Sequence, residues 1–246
     1  MNQPVEQRDW RLMRHMFGAI APCYDFVTRA FSFGMDGQWK RVAVQKACLV
    51  EGATVLDLAC GTGRWLEKVM ARGCESGVGV DGSAAMLRVA RGKREIAGRL
   101  AQATCEVLPF REAVFDLVIC SFALGHLRDL RCMVRELARV MKPGADCLVS
   151  DLDPNTYAEG WRVGFRDQDA MVQIEMHPRT AVEIIQVFCA NGFECLRRVP
   201  LWLGEEEKPI FARAGKTLSF ADCCRFPAIL VCHFKRLDLP FEPRRI

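Results

Sequence analysis

The stretch VLDLACGTGRW, residues 55–65, sets Asp57 inside an apolar run and follows it with Gly61 and Gly63. Glycines let a backbone approach a ligand without a Cβ in the way, and a helix starting just after them offers unpaired N–H groups. Such a loop suits a nucleotide-like cofactor. A dinucleotide fingerprint needs a third glycine where Leu66 stands, and a P-loop needs a lysine that does not follow.

Asp57 bears on which cofactor binds, while a ribose-binding Asp81 would serve either class. Asp57 can accept a hydrogen bond from an ammonium group, which NAD lacks and S-adenosylmethionine (SAM) has. Asp81, at the end of the next expected strand, is placed for ribose hydroxyls. Together they favour SAM.

Other residue types could act on a second molecule. His126 follows the fourth expected strand, on the substrate side of a parallel sheet, and an imidazole titrating near pH 6.5 suits a general base; packing between loop and helix is the alternative. His177, beside Glu175, is the second candidate base, and His15 is expected to be exposed. SDLDPNTYAEGW carries Asp151, Asp153 and Tyr157 off the fifth strand, where an acceptor could bind. Two carboxylates with no histidine at ligand spacing read as caps and turn formers, so no metal site is expected. Arg162 and Arg166, at helical spacing, could receive an acidic acceptor or lie on a solvated face.

From residue 53 onward β-rich runs alternate with helical patterns, the signature of a parallel sheet covered on both faces. Strands are expected at 53–58, 76–81, about 100–106, 114–120 and 145–152. Thr62, Ser83 and Asp129 are read as helix caps, and Lys142-Pro143-Gly144 as the end of the Asp129 helix. Thr180 and Glu183 form a capping box for a helix ending near Gly192. FECLRRV and PAILVCHF supply two last strands able to pair antiparallel at one edge, and a short helix is expected near Pro209 to Ala214. The fold class is therefore α/β: a Rossmann-like, doubly wound, seven-stranded, mostly parallel sheet with an antiparallel edge hairpin and an N-terminal helical cap. One domain spans 1–246, with the cap at 1–48, the cofactor-binding core at 49–152 and an acceptor-side, sheet-completing region at 153–246.

Composition excludes several classes. The formal net charge is +4 with scattered basic residues, so no nucleic-acid partner is expected. Thirteen cysteines with no C-x-x-C pair and a polar N-terminus indicate a reducing cytoplasm, with the thiols packing as small hydrophobes. Cys223-Cys224 is the one pair suited to soft-metal or redox chemistry. No apolar run is long enough to span a bilayer. A homodimer is compatible with these features.

VLDLACGTGRW, GVGVDGSAAMLRVAR, LPFREAVFDLVICSFALGHLRD and LARVMKPGADCLVSDLDP resemble successive motifs of the class I SAM-dependent methyltransferases. MFGAIAPCYDFVTRAFSFGMDGQWKR and EMHPRTAVEIIQVFCANGFECL are similar to the narrower ubiquinone/menaquinone C-methyltransferase (UbiE-like) group. The resemblance implies that Asp57, Ala59, Gly61 and Gly63 line the methionine part of SAM, and that Asp81 holds the ribose. It implies Gly82 and Met86 by the adenine, with Thr104, Cys105 and Glu106 at its edge, and Ser121 and Phe122 near the sulfonium. Tyr24 and Trp39 would close over the cofactor. Three departures stand out: Thr104 replaces an acid, Gly125-His126 replaces an arginine-asparagine pair, and the sequence from Arg198 onward matches nothing in the quinone branch.

The expected function is methyl transfer from SAM to a small organic acceptor, a quinone precursor or another aromatic or polyketide-like compound, leaving S-adenosylhomocysteine. Two alternatives stay open: carboxylate O-methylation with Arg162 or Arg166 as the recognising cation, and a non-catalytic SAM-binding subunit.

Overall fold

A computed structural model describes residues 5–24, 52–74, 76–160, 162, 164–167, 170–205, 208–213 and 217–238. Helix α1 (Val5–Ile20) runs into a 3₁₀ turn at Ala21–Cys23. The Rossmann-like unit then begins with β1 (Thr54–Leu58), α2 (Arg64–Met70), β2 (Ser76–Asp81) and α3 (Ala84–Arg91). It continues through β3 (Leu100–Gln102), β4 (Phe115–Ser121), a 3₁₀ turn at Leu124–His126, α4 (Leu130–Val140) and β5 (Met141–Leu152). After α5 (Pro154–Ala158), β6 (Gly164–Asp167) and β7 (Ala170–Gln173) form a separate antiparallel pair. Then come α6 (Ala181–Cys189), β8 (Phe193–Leu201), α7 (Lys208–Arg213), α8 (Thr217–Cys223) and β9 (Ile229–Arg236).

The seven-stranded sheet has the order β3-β2-β1-β4-β5-β9-β8. Its first five strands are parallel, while β9 runs antiparallel to both β5 and β8. Strands buried on two faces must be apolar nearly throughout, and Val55, Leu56 and Leu58 of β1 are indeed fully buried. One face packs on α4 and α6 through Leu130, Met133, Leu137, Ile184 and Phe188. The other takes Trp65 and Val69 of α2 with Phe220 and Cys223 of α8. Phe188 stacks on Phe234 at 4.1 Å between centroids, fixing α6 on β9.

Capping explains most helix starts. Ser83 Oγ accepts from the Met86 amide, Asp129 Oδ1 from the Arg131 amide, and Thr180 with Glu183 makes the reciprocal box. Thr62 is not a cap: Gly63 holds that position at φ +71°, and having no side chain it leaves the first turn to a neighbour. Asp57 of β1 fills the role, its Oδ2 accepting the Leu66 amide at 3.3 Å.

Several expected boundaries shift. The third strand is shorter, ending at Gln102. Lys142-Pro143-Gly144 lies inside β5 as an irregularity, since Phe115 pairs with Met141 but Leu117 with Asp146, and α4 ends at Val140. Arg166 sits in β6 opposite Met171, so the helical spacing of Arg162 and Arg166 does not form a helix. Helix α8 adds to the one expected near Pro209.

Cys74, Cys120, Cys147, Cys223 and Cys232 are buried as core filler. Burial holds the Cys105 and Cys232 thiols neutral, pushed up to about 12. Among the described residues no cluster of three or more His, Cys, Asp or Glu could hold a metal ion. Nor is any described helix long and apolar enough to cross a membrane.

Candidate functional site

Strand order reverses between β1 and β4, and in an open α/β sheet the crevice beyond that point is where ligands sit. A cavity of about 710 Å³ occupies it, floored by the carboxyl ends of β1, β2 and β4 and roofed by α1. The roof is held by Met16 against Ile174, with Leu12, Met13 and Phe17 beside them, so α1 leans on the β6–β7 pair.

At one end the cavity is built for a polar ligand. The Asp81 carboxylate takes the Gly61 amide on Oδ2 at 2.8 Å and the Ser83 amide on Oδ1 at 2.7 Å, joining the ends of β1 and β2. Burial nevertheless raises its pKa against the lowering by those two amides, so the ionised carboxylate is short of donors. A diol would supply them. Gly61, at φ +56°, lies under the Tyr24 ring: a Cβ there would meet Tyr24 Cε1 at 3.2 Å. Gly82, Met86, Thr104, Cys105 and Glu106 continue the wall.

Ala59 at φ +56° and Phe122 at φ +54° hold left-handed backbone although neither is glycine. Both line the cavity just past adjacent strands, as does Ser121 at the end of β4. Strain of this kind costs about 1–3 kcal/mol per residue and gathers at functional sites. No sequence signal announces it, because alanine and phenylalanine carry no mark of unusual φ.

The other end sets Phe17, Leu127 and Ile174 beside two histidines and the polar Arg14, Arg128, Gln173 and Glu175. His126 lines the cavity from the turn after β4, the edge of its ring 5.5 Å from Phe17 between centroids. Its Nδ1 is buried without a hydrogen-bond partner. Burial, and then a charge on His177, lower its pKa to about 4, so it is neutral at pH 7. His177 lines the same cavity, and its amide donates to Gly125 O at 2.7 Å.

Two residues frame this end. Asp151 accepts the Gly125 amide on Oδ2 and the Leu152 amide on Oδ1, both at 2.7 Å. Burial is the first cause of its raised pKa of about 6, which those amides and Arg179 only partly offset. Arg179 donates to the carbonyls of Leu124 and His177 at 2.8 and 3.0 Å, and also to those of Leu127 and Arg128. It thereby ties the two histidine segments together. Nothing in the sequence singles out Arg179, because its partners are backbone carbonyls that only the fold brings within reach.

Other expected site residues fall elsewhere. Asp57 is buried below the loop, capping α2, and does not line the cavity. Gly63 faces Ala90 of α3 and Ile96 just after it, where a Cβ would come within 2.3 Å of Ile96 Cδ1. Asp153 caps α5 by accepting the Asn155 amide at 3.0 Å. Tyr157 borders a second, much smaller pocket, and the exposed Arg162 donates to the Tyr157 carbonyl at 2.8 Å. None of Asp57, Gly63, Asp153, Tyr157 or Arg162 touches the main cavity. Trp39 lies outside the described residues.

The donor set fits SAM: a desolvated carboxylate able to take a diol, a glycine under an aromatic ring, and a wall in which Met86 stands beside Thr104, Cys105 and Glu106. Among the described residues, the arginines of the lining, Arg14 and Arg128, come from α1 and the β4–α4 connection rather than from the glycine loop.

A family model described as the ubiE/COQ5 methyltransferase family matches residues 3–159. The ubiquinone/menaquinone biosynthesis C-methyltransferase UbiE of Geobacter sulfurreducens is 38% identical over 144 residues, which cover 56% of this chain and 56% of that protein. The demethylmenaquinone methyltransferase of Thermus thermophilus is 39% identical over 144 residues, covering 56% of this chain and 65% of that one. The match therefore spans less than two thirds of these relatives' own length. A crystal structure of an S-adenosylmethionine-dependent methyltransferase from Mesorhizobium loti superposes with a TM-score of 0.57 at 20% identity, over 75% of this chain and 91% of that one. At that identity the likeness is one of fold.

Proposed function

The chain belongs to the ubiE/COQ5 methyltransferase family, and from that premise we propose that it transfers a methyl group from SAM to a small, largely apolar organic acceptor, of the quinone-precursor class. The observation that carries this reading is the cavity itself, which joins a carboxylate-and-glycine end suited to SAM with an end that sets Phe17, Leu127 and Ile174 beside His126 and His177.

When bound, SAM supplies a methyl group already activated by the sulfonium charge. The protein then has to orient the acceptor, exclude water and remove a proton. Asp81 would take the ribose hydroxyls, Met86 and Cys105 would border the adenine, and Tyr24 would cover the chain over Gly61. Ser121 and Phe122 would lie where the two ligands meet. Phe17, Leu127 and Ile174 would keep the acceptor dry, and His126 and His177 are the groups able to hydrogen-bond its hydroxyl.

Carboxylate O-methylation with Arg162 as recogniser finds no support, since that side chain is exposed and turned to the Tyr157 carbonyl.

Calorimetry of the purified protein with SAM, S-adenosylhomocysteine and NAD tests the proposal. Micromolar binding of the first two without the third is expected. Failure of the wild type to bind SAM would sink it.

A further inference from the structure

Among the described residues, His177 is the one that borders both the main cavity and a second, small pocket. That pocket measures about 10 Å³ and is walled by Asp151, Tyr157, His177 and Arg179 together with apolar neighbours. A cavity near this size with two to four polar partners holds a single water. One of those partners is already short of a bond: the Tyr157 hydroxyl is buried with no hydrogen-bond partner.

From this shared border we propose that His177 takes the proton of the acceptor and that Asp151 is its positioning residue, the two linked by one water in the small pocket that also satisfies the Tyr157 hydroxyl. The inference rests on the methyltransferase reading for the acceptor. In the step, the acceptor O–H breaks, its proton goes to an imidazole nitrogen of His177, and the electron pair stays on the oxygen and its conjugated ring. The proton then leaves to solvent, so no oxidant or reductant is needed.

The backbone of His177 is pinned on both sides, its amide donating to Gly125 O and its carbonyl accepting from Arg179. The backbone of His177 is thereby fixed at the border of the two compartments. Around it stand His126 from the turn after β4, Asp151 from β5, Tyr157 from α5, and Arg179 from its own segment. Arg14 on α1 lies at the same cavity, as does the rim pair Arg128 and Glu175, 3.9 Å apart. Asp151 is the carboxylate among the small pocket's lining residues, and its anion would favour the imidazolium. His126 is the poorer base: a group held neutral down to about pH 4 retains little proton affinity at pH 7. It serves as a neutral hydrogen-bond partner.

The protein has four histidines, so ring-labelled NMR at one fixed pH resolves each imidazole. Asp151→Asn should shift the ring-nitrogen resonances of His177 while leaving those of His15 and His233 in place. Tyr157→Phe disturbs no backbone amide and should shift the same resonances by a smaller amount. With 1,4-naphthohydroquinone as acceptor, His177→Gln should lose about 100-fold or more in kcat, with KM little changed and SAM affinity intact. His126→Gln should lose less than about tenfold. Unmoved His177 ring resonances in Tyr157→Phe, or in a folded Asp151→Asn, overturn the link to Asp151. A His126→Gln loss equal to that of His177→Gln overturns the assignment of the base. A wild type that binds SAM but leaves the naphthohydroquinone untouched rejects that acceptor, and one that binds no SAM rejects the methyltransferase reading; the NMR resonances decide the inference in either case.

Discussion

Gly61 donates its amide to Asp81 Oδ2 at 2.8 Å, so the carboxylate that ends β2 also sets the loop that follows β1. One side chain thus shapes the glycine cradle and faces the ligand, and its replacement has two separable effects. Asp81→Asn keeps an acceptor but loses the charge, and should weaken SAM about tenfold with little loss of Tm, since hydrogen bonds to charged groups exceed neutral ones by about 1 kcal/mol or more. Asp81→Ala also frees the Gly61 amide and should weaken SAM about 100-fold. Calorimetry and thermal melts of both variants check this; an Asp81→Asn affinity equal to that of the wild type would show that the charge is irrelevant.

The two glycines of the loop should fail differently. At Gly63 an added Cβ meets Ile96 Cδ1 at 2.3 Å and the backbone stands at φ +71°. Gly63→Ala should therefore destabilise the fold by about 2–4 kcal/mol from left-handed strain and overpacking. Adding Ile96→Val removes the clashing methyl, so the double variant should recover part of the loss. Gly61→Ala meets only the Tyr24 ring, at 3.2 Å, and should weaken SAM more than it lowers Tm. Urea melts with SAM titrations distinguish them; additive losses at residues 63 and 96 would contradict the packing argument.

The sheet was legible because its signals are local. The apolar runs of β1, β2, β4 and β5, the caps Ser83 and Asp129, and the Thr180–Glu183 box each stand in a few consecutive residues. The acid end of the cavity was legible for the same reason, through Gly61 and Asp81. What escaped depends on distant partners. Asp57 reads as a ligand group but is used by the Leu66 amide, because Gly63 cannot cap its own helix. Gly63 reads as a ligand glycine but accommodates Ile96. Arg179 reads as an ordinary cation until four carbonyls from two segments converge on it.

That convergence should make Arg179 sensitive even to lysine. A guanidinium presents a planar fork of donors, whereas an ammonium is a point with three. Arg179→Lys should speed hydrogen exchange at the amides of His126, Leu127 and His177, leave exchange in β1 and β2 unchanged, and preserve SAM affinity. Mass-spectrometric exchange reads each segment, and unchanged protection at residues 124–128 would show that the turn holds without the fork.

His126 and Asp151 should nearly cancel in the dependence of stability on pH. The His126 pKa is lowered from 6.5 to about 4, so its contribution is present above the unfolded value and lost as pH falls toward 4. The Asp151 pKa is raised from 3.8 to about 6, so its contribution is full below the unfolded value and lost as pH rises through 6. Each shift of roughly two units amounts to about 3 kcal/mol, over overlapping windows and with opposite sign. Removing one partner should expose the other. Relative to wild type, His126→Gln should gain stability on going from pH 7 to pH 4.5, and Asp151→Asn should lose it, each by about 2–3 kcal/mol. Urea midpoints at the two pH values, referenced to wild type, measure both swings; changes of the same sign would mean that one of the two groups keeps its ordinary pKa in the folded protein.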